Sequence, residues 1–495
     1  MRLFLFRNPL IVACLGVVLL LLAYSPLFVN HFLFSDDWYW YALLRVPQIN
    51  IKQEAWGMAL ADGRFLHGLV FSHWAQVCMN LISAWWGRIG AVFIVILLFV
   101  ALYDFIRRHL TTCLLEAMIG SLGVCLLPGI AISVLWLVST PSLLALLWAV
   151  LAAHAALYAQ QIKLNAVVFW PRLMLWSIAA ILLQIAAFLS YQPFALLYFS
   201  CVGIAVYVAW LKSLEPVKNL IKHHFYPVFL GIVALVIYFV IYMATLRILG
   251  VQASSRSQVH ADQIYKFLAI LPRTWIYAAQ LWLIDIHFYI AGSLSLIGLC
   301  FYLKQEYAQA QKSQLKYWVM WLVVLIMLLS IPFFFERPLR FRKVVPISAV
   351  LWLGFVVMLK RFTWYRPAAL LIFGFCAPLL TAHNLNDYVL KPAQKEIAFI
   401  TSVLQQELLP TTQRIVVIRA SRQAGILCKR ISEDEYGMPS SYQTFSIHGM
   451  VQFALNALHI DKPIQIIHQS LEESKEIPTT SKQQLVIDMN RIAQE

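Results

Sequence analysis

The chain has 495 residues, of which 61% are hydrophobic, 14% aromatic and only 12% charged, and its mean hydropathy is +0.74. A soluble domain carries roughly 25% charged residues, so a soluble globular enzyme and a disordered chain are both excluded. The net charge of +15 does not point to nucleic acid, because from Asp387 on 11 Lys and Arg face 12 Asp and Glu, and the whole excess sits among the apolar runs of residues 1–386, where it reads as orientation signal and lipid or phosphate contact.

Those runs repeatedly approach 20 residues, the length that crosses about 30 Å of hydrocarbon. Placed by apolar length and oriented by Lys and Arg in short loops, they predict about eleven transmembrane helices, with the N-terminus inside and the last exit outside. Arg2 and Arg7 precede an uncleaved first helix at about 9–31, which lacks the small-residue cleavage pattern of a signal peptide. Residues 32–86 follow as a long external loop, in which 65–85 is expected to lie on the membrane surface as an amphipathic helix. Further spans are expected at about 88–106, 114–137, 143–160, 173–190, 194–211 and 226–247. A second external loop then includes a surface helix around 262–282, and spans at about 283–303, 317–335, 344–359 and 367–384 complete the set. The tail from residue 387 changes character. Ala393–Leu409 reads as a helix ended by Pro410, and Arg414–Ala420, Pro463–His468 and Gln484–Met489 read as strands. The expected fold class is therefore an α-helical polytopic membrane protein, with a small C-terminal α/β soluble domain at 387–495.

On this topology the unusual polar groups collect at one face. They are Asp36 and Asp37, Asp62 and Arg64, Tyr191 and Gln192, Arg256 and His260, Asp285 and His287, and Glu336, Arg337 and Arg340. Ionisable groups at membrane depth are expensive and usually functional, although near helix ends many merely snorkel. Phe34-Ser35-Asp36-Asp37-Trp38-Tyr39-Trp40 is the centre of the set. Neighbouring residues on a helix point in different directions, so the two carboxylates are expected to do different jobs. One faces a reacting group, and the other binds a backbone donor, an arginine or a metal. The competing reading is a helix cap with an aromatic belt behind it. A carboxylate pair facing arginines suits sugar transfer from a phosphate carrier: the carboxylate takes the proton of the attacking hydroxyl, and arginine or histidine stabilises the departing phosphate. Arg337 and Arg340 are placed to flank that phosphate. His67 and His73 have no third ligand at metal spacing, and the eight cysteines form no CxxC pair. No cofactor is required, and a divalent metal such as Mg or Mn at the Asp pair stays open.

An uncleaved first helix ending in Ser-Asp-Asp-Trp, then Asp-Gly-Arg-Phe-Leu some 25 residues later, resembles the O-antigen glucosyltransferase family of bacterial inner membranes. Ser190-Tyr191-Gln192 and the arginine turn at 337–340 are similar as well. More broadly, the layout of residues 1–385 resembles the GT-C glycosyltransferases. The resemblance implies a periplasmic active site with Asp36 and Asp37 as the catalytic aspartates. It implies a polyprenyl-phosphate-linked sugar donor, a glycan acceptor such as lipopolysaccharide O-antigen, and membrane lipid as partners. The rival expectation is a transporter or flippase of lipid-linked glycans, which would place polar groups at mid-membrane depth and show paired broken helices.

Overall fold

A computed structural model of the protein describes residues 8–29, 32–46, 49–78, 81–164, 170–212, 217–254, 277–284, 341–359, 366–420, 436, 439–470 and 481–494. Six helices among the described residues are long and apolar enough to cross a membrane: Ala84–His109, Leu137–Leu164, Trp170–Ser190, Gln192–Ala209, Phe225–Leu249 and Arg366–Glu407. The first helix, Pro9–Tyr24, is a shorter apolar one. It starts where its sequence says it should: Pro9 occupies the first turn, and Asn8 accepts from the Leu10 amide at 2.9 Å. The chain is a multi-pass membrane protein.

The span expected at 114–137 is corrected. It is two helices, Leu114–Cys125 and Pro128–Leu135, bent by 57°. Proline lacks the amide hydrogen that would continue the first helix, so the break falls just before Pro128. The helix expected to start near 88 runs from Leu81 to His109, and the first loop carries the separate helices Asp36–Leu43, Ile51–Ala61 and Phe65–Cys78. Residues 285–340 lie outside the described residues, and with them go the greater part of the spans expected at 283–303 and 317–335.

Burial sorts the spans. The best apolar window of Leu137–Leu164 is 72% buried inside the protein, whereas that of Phe225–Leu249 is only 28% buried. The first is a central helix. The second turns Val236, Phe239 and Val240 outward, an apolar stripe whose natural solvent is lipid.

The tail folds as expected in kind. Its strands β1 (Arg414–Ile418), β2 (Gln465–Gln469) and β3 (Gln484–Asp488) form a parallel sheet in the order β2-β1-β3, with Val416 opposite both Ile467 and Val486. Parallel neighbours need a crossover, and Thr444–Ala457 supplies the helix between β1 and β2. The helix Arg366–Leu385 continues through Asn386–Leu390 into Lys391–Glu407 without a break, so one rod joins the membrane bundle to the sheet. A second apolar core crosses from the first loop into the tail: Trp38, Trp40 and Phe71 pack in the same cluster as Phe399, Ile415 and Met450.

Candidate active site

The polypeptide leaves the first helix through buried Phe32, Leu33 and Phe34 and turns at Ser35, whose φ of 52° is left-handed. Non-glycine residues rarely hold that conformation, and when they do the surroundings impose it. The helix Asp36–Leu43 begins at once, so its first turn carries two adjacent carboxylates that face different ways. Asp37 is fully buried. Its Oδ2 accepts from the amides of Phe34 at 3.3 Å and Leu137 at 3.4 Å, and its Oδ1 from that of Val138 at 3.2 Å. Burial pushes its carboxyl up to about 7, opposed by the nearby Arg88 guanidinium and by the three amides. Arg88 is itself fully buried, lies 3.7 Å over the Phe32 ring and donates through Nη2 to the Phe32 carbonyl, while its Nε and Nη1 make no hydrogen bond. Asp36 is only partly buried. The two carboxylates differ in surroundings: Asp37 binds backbone donors, and Asp36 is partly exposed.

Two of the three amides that hold Asp37 belong to the 3-10 turn Leu137–Ser139, between Pro128–Leu135 and the long helix from Thr140. The same turn holds an arginine. Arg342 Nη1 donates to Ser139 Oγ at 2.8 Å, and its guanidinium lies 3.9 Å over the Trp136 ring. Trp136 in turn meets Phe34 edge to face at 6.2 Å. One three-residue turn therefore sits between a buried carboxylate from residue 37 and a cation from residue 342.

A second cluster joins four of the expected residues. Arg64 Nη1 lies 3.1 Å from Asp62 Oδ2. Arg64 Nε donates to Gln192 Oε1 at 3.2 Å, and its guanidinium covers the Tyr191 ring at 4.8 Å. Gln192 Nε2 donates to the Asp62 carbonyl and to Tyr238 Oη, both at 2.8 Å, and Ser254 Oγ donates to Asp62 Oδ1 at 2.6 Å. Gly63 makes the turn possible: its φ is 70°, and an added Cβ would lie 2.7 Å from the Tyr238 hydroxyl. These polar atoms are engaged with one another, as in a clasp between the first loop and the helices Gln192–Ala209 and Phe225–Leu249. Replacing Gln192 with Leu removes the acceptor of Arg64 Nε and the donor to the Asp62 carbonyl and Tyr238 hydroxyl, and is expected to cost about 1–3 kcal/mol, the range for polar groups left unpaired, read as a lowered thermal unfolding midpoint in detergent. His67 touches the same region, its Nδ1 3.3 Å from Ser142 Oγ. Burial, helped by Arg64 and opposed by Asp62, pushes its imidazole down to about 3, so it is a neutral ring there.

The far ends of these helices carry a different set. Asp104 pairs with Arg107 at 2.8 Å and Arg108 at 2.6 Å, and Arg366 pairs with Glu116. Loops at 35–37, 62–64, 137–142, 191–192 and 342 thus gather at one end of the bundle, as the charge rule ordered them. Arg256, His260, Asp285, His287, Arg337 and Arg340 lie outside the described residues. Sequence reasoning did not select Arg88, Ser139 or Arg342. Arg88 had a signal, a lone cation at the head of an apolar run, and Arg342 was one of four cations in an eight-residue stretch. Among the described residues no group of three His, Cys, Asp or Glu side chains gathers to hold a metal ion.

No family model matches the chain, and no curated protein matches it. Among solved structures it is similar to ArnT from Cupriavidus metallidurans bound to undecaprenyl phosphate, at 12% identity over 93% of this chain and 89% of that one, with a TM-score of 0.43.

Proposed function

We propose that the chain is a membrane glycosyltransferase of the GT-C type. It moves a sugar, with glucose the first to test, from a polyprenyl-phosphate donor to a lipid-linked or cell-surface glycan such as O-antigen, on the periplasmic face of a bacterial inner membrane. The observation that carries this reading is the turn Leu137–Ser139, which takes Asp37 on its amides and Arg342 on its hydroxyl. Asp37 and Arg342, far apart in the sequence, are thereby held on one turn.

In this reading Asp36 is the base, because it is the carboxylate that retains access. It removes the proton from the acceptor hydroxyl as that oxygen bonds to the anomeric carbon. The bond from that carbon to the phosphate oxygen breaks, its electron pair leaves with the polyprenyl phosphate, and Arg342 meets the added negative charge. Asp37 fixes the turn. Asp62, Arg64, Tyr191 and Gln192 hold the first loop beside the substrate. Arg337, Arg340, Arg256 and His260 are further candidates for the carrier phosphate, and Asp285 and His287 for substrate.

The test uses membranes containing the protein, polyprenyl-phosphate sugars labelled in the sugar, and native glycan as acceptor. Label is expected in the glycan. Arg342→Gln is expected to raise the donor KM about tenfold or more, the loss of one charge-assisted phosphate contact worth about 1.5–3 kcal/mol. Equal donor KM and kcat for wild type and Arg342→Gln would remove Arg342 from the site, and transfer of no sugar from any polyprenyl-phosphate donor would overturn the reading.

A further inference from the structure

The C-terminal unit reaches into the site at its most unusual backbone position. Ser35 N–H donates to Ser440 Oγ at 3.3 Å, and Ser35 Oγ donates to Gln443 Oε1 at 3.1 Å. The Ser35 carbonyl accepts from Ser446 Oγ at 3.0 Å as well as from the Trp38 amide at 3.1 Å. All three polar groups of the left-handed residue that precedes the two aspartates are thus met by one segment more than 400 residues away. That segment is itself pinned. The buried carboxylate of Glu396 accepts from the Ser440 amide at 2.9 Å and the Ser441 amide at 2.8 Å. The contact continues along the helix: Gly449 lies against the Trp38 carbonyl with no room for a Cβ, and Phe453 packs on Trp38 at 5.5 Å and Tyr41 at 5.8 Å.

We infer that the C-terminal unit is a working part of the site: Ser440, Gln443 and Ser446 are positioning residues that hold Ser35 left-handed and thereby set the direction of Asp36 and Asp37. The reasoning is physical. A serine at positive φ relaxes to an ordinary conformation unless its neighbours hold it. Rotation at Ser35 swings the first turn of the following helix, because Asp36 and Asp37 are its first two residues. None of the three positioning residues needs to touch substrate. Their role for catalysis rests on the glycosyltransferase reading, whereas the grip on Ser35 does not.

Two readouts test the two parts. In the full-length protein in membranes, Ser35→Cys paired with Ser440→Cys is expected to form a disulfide on mild oxidation, recovered as a linked peptide pair, and Ser35→Cys paired with Lys462→Cys is not. Equal linkage of both pairs, or of neither, overturns the grip on Ser35 whatever the enzyme does. In the transfer assay, the double variant Gln443→Ala with Ser446→Ala is expected to lower kcat by about 10–100-fold, the range for a small misplacement of reacting groups, with the donor KM within about twofold. Restoring a hydroxyl, as Ser446→Thr in the Gln443→Ala background, is expected to recover part of kcat. A double variant with wild-type kcat, or one whose loss follows its thermal midpoint and is not recovered by the threonine, overturns the positioning role. Failure of the wild type to transfer any sugar counts against the proposed function and leaves the disulfide result to decide the grip.

Discussion

Asp37→Asn is expected to lower transfer about 100-fold and to change how stability depends on pH. The carboxylate accepts from three amides and is the countercharge for a buried guanidinium. An asparagine turns an NH2 toward at least one of those amides, leaving a buried donor unpaired at a cost of about 1–3 kcal/mol. It also removes the charge that Arg88 faces. The turn Leu137–Ser139 shifts in response and takes Arg342 with it, and a shift of about 1 Å in a site is worth about 100-fold in rate. The pH effect has a definite sign. Burial raises the folded-state carboxyl of Asp37 to about 7, whereas the unfolded chain loses that proton near pH 3.9. Between those values the folded state holds a proton that the unfolded state has released, so this group's contribution to stability falls as pH rises. The fall totals ~4 kcal/mol, is complete above about pH 7, and is absent in the variant. Thermal unfolding in detergent from pH 4 to pH 8 checks it: the wild-type midpoint is expected to drop relative to that of Asp37→Asn across this window. Parallel curves would show that Asp37 does not titrate as described.

Asp36→Asn is expected to have a large effect on rate and a small one on stability. A positioned general base contributes about 10²–10⁴-fold, and that is the expected loss in kcat, with the donor KM unchanged. The side chain is partly exposed and sits at the start of a helix, where a carboxylate stabilises by about 0.3–1 kcal/mol through the helix dipole. The thermal midpoint is therefore expected to move by only a few degrees. The contrast between neighbouring residues, one felt in rate alone and the other in rate and pH-linked stability, separates a catalytic carboxylate pair from a helix cap.

Much of this was legible in the sequence because it followed from composition and local pattern. Among the described residues, apolar length located most of the spans, β-branched runs located the strands β1, β2 and β3, and the charge rule put 35–37, 62–64, 137–142 and 190–193 at one end of the bundle. Asp62, Arg64, Tyr191 and Gln192 were singled out separately and turn out to bond to one another. What stayed hidden was tertiary. Nothing local announces that Pro128 splits a span by 57°, since a proline is tolerated in many transmembrane helices. The role of Arg342 depends on reaching Ser139 across 203 positions, and the bonds from Ser440, Gln443 and Ser446 to Ser35 span more than 400. Ser35 itself looked like a cap, and only the folded chain shows its left-handed backbone and the bonds that the tail makes to it.

The central claim is that Asp36 and Asp37 form the reaction centre of a polyprenyl-phosphate-dependent sugar transfer. The most direct measurement compares the wild type, Asp36→Asn and Asp37→Asn at equal protein level in membranes, given labelled polyprenyl-phosphate sugar and native glycan. The account predicts label in the glycan with the wild type and a loss of about 100-fold or more with each variant, with only Asp37→Asn altering the pH dependence of unfolding. Wild-type transfer matched by both variants would contradict it and reduce the two aspartates to the cap of a short helix.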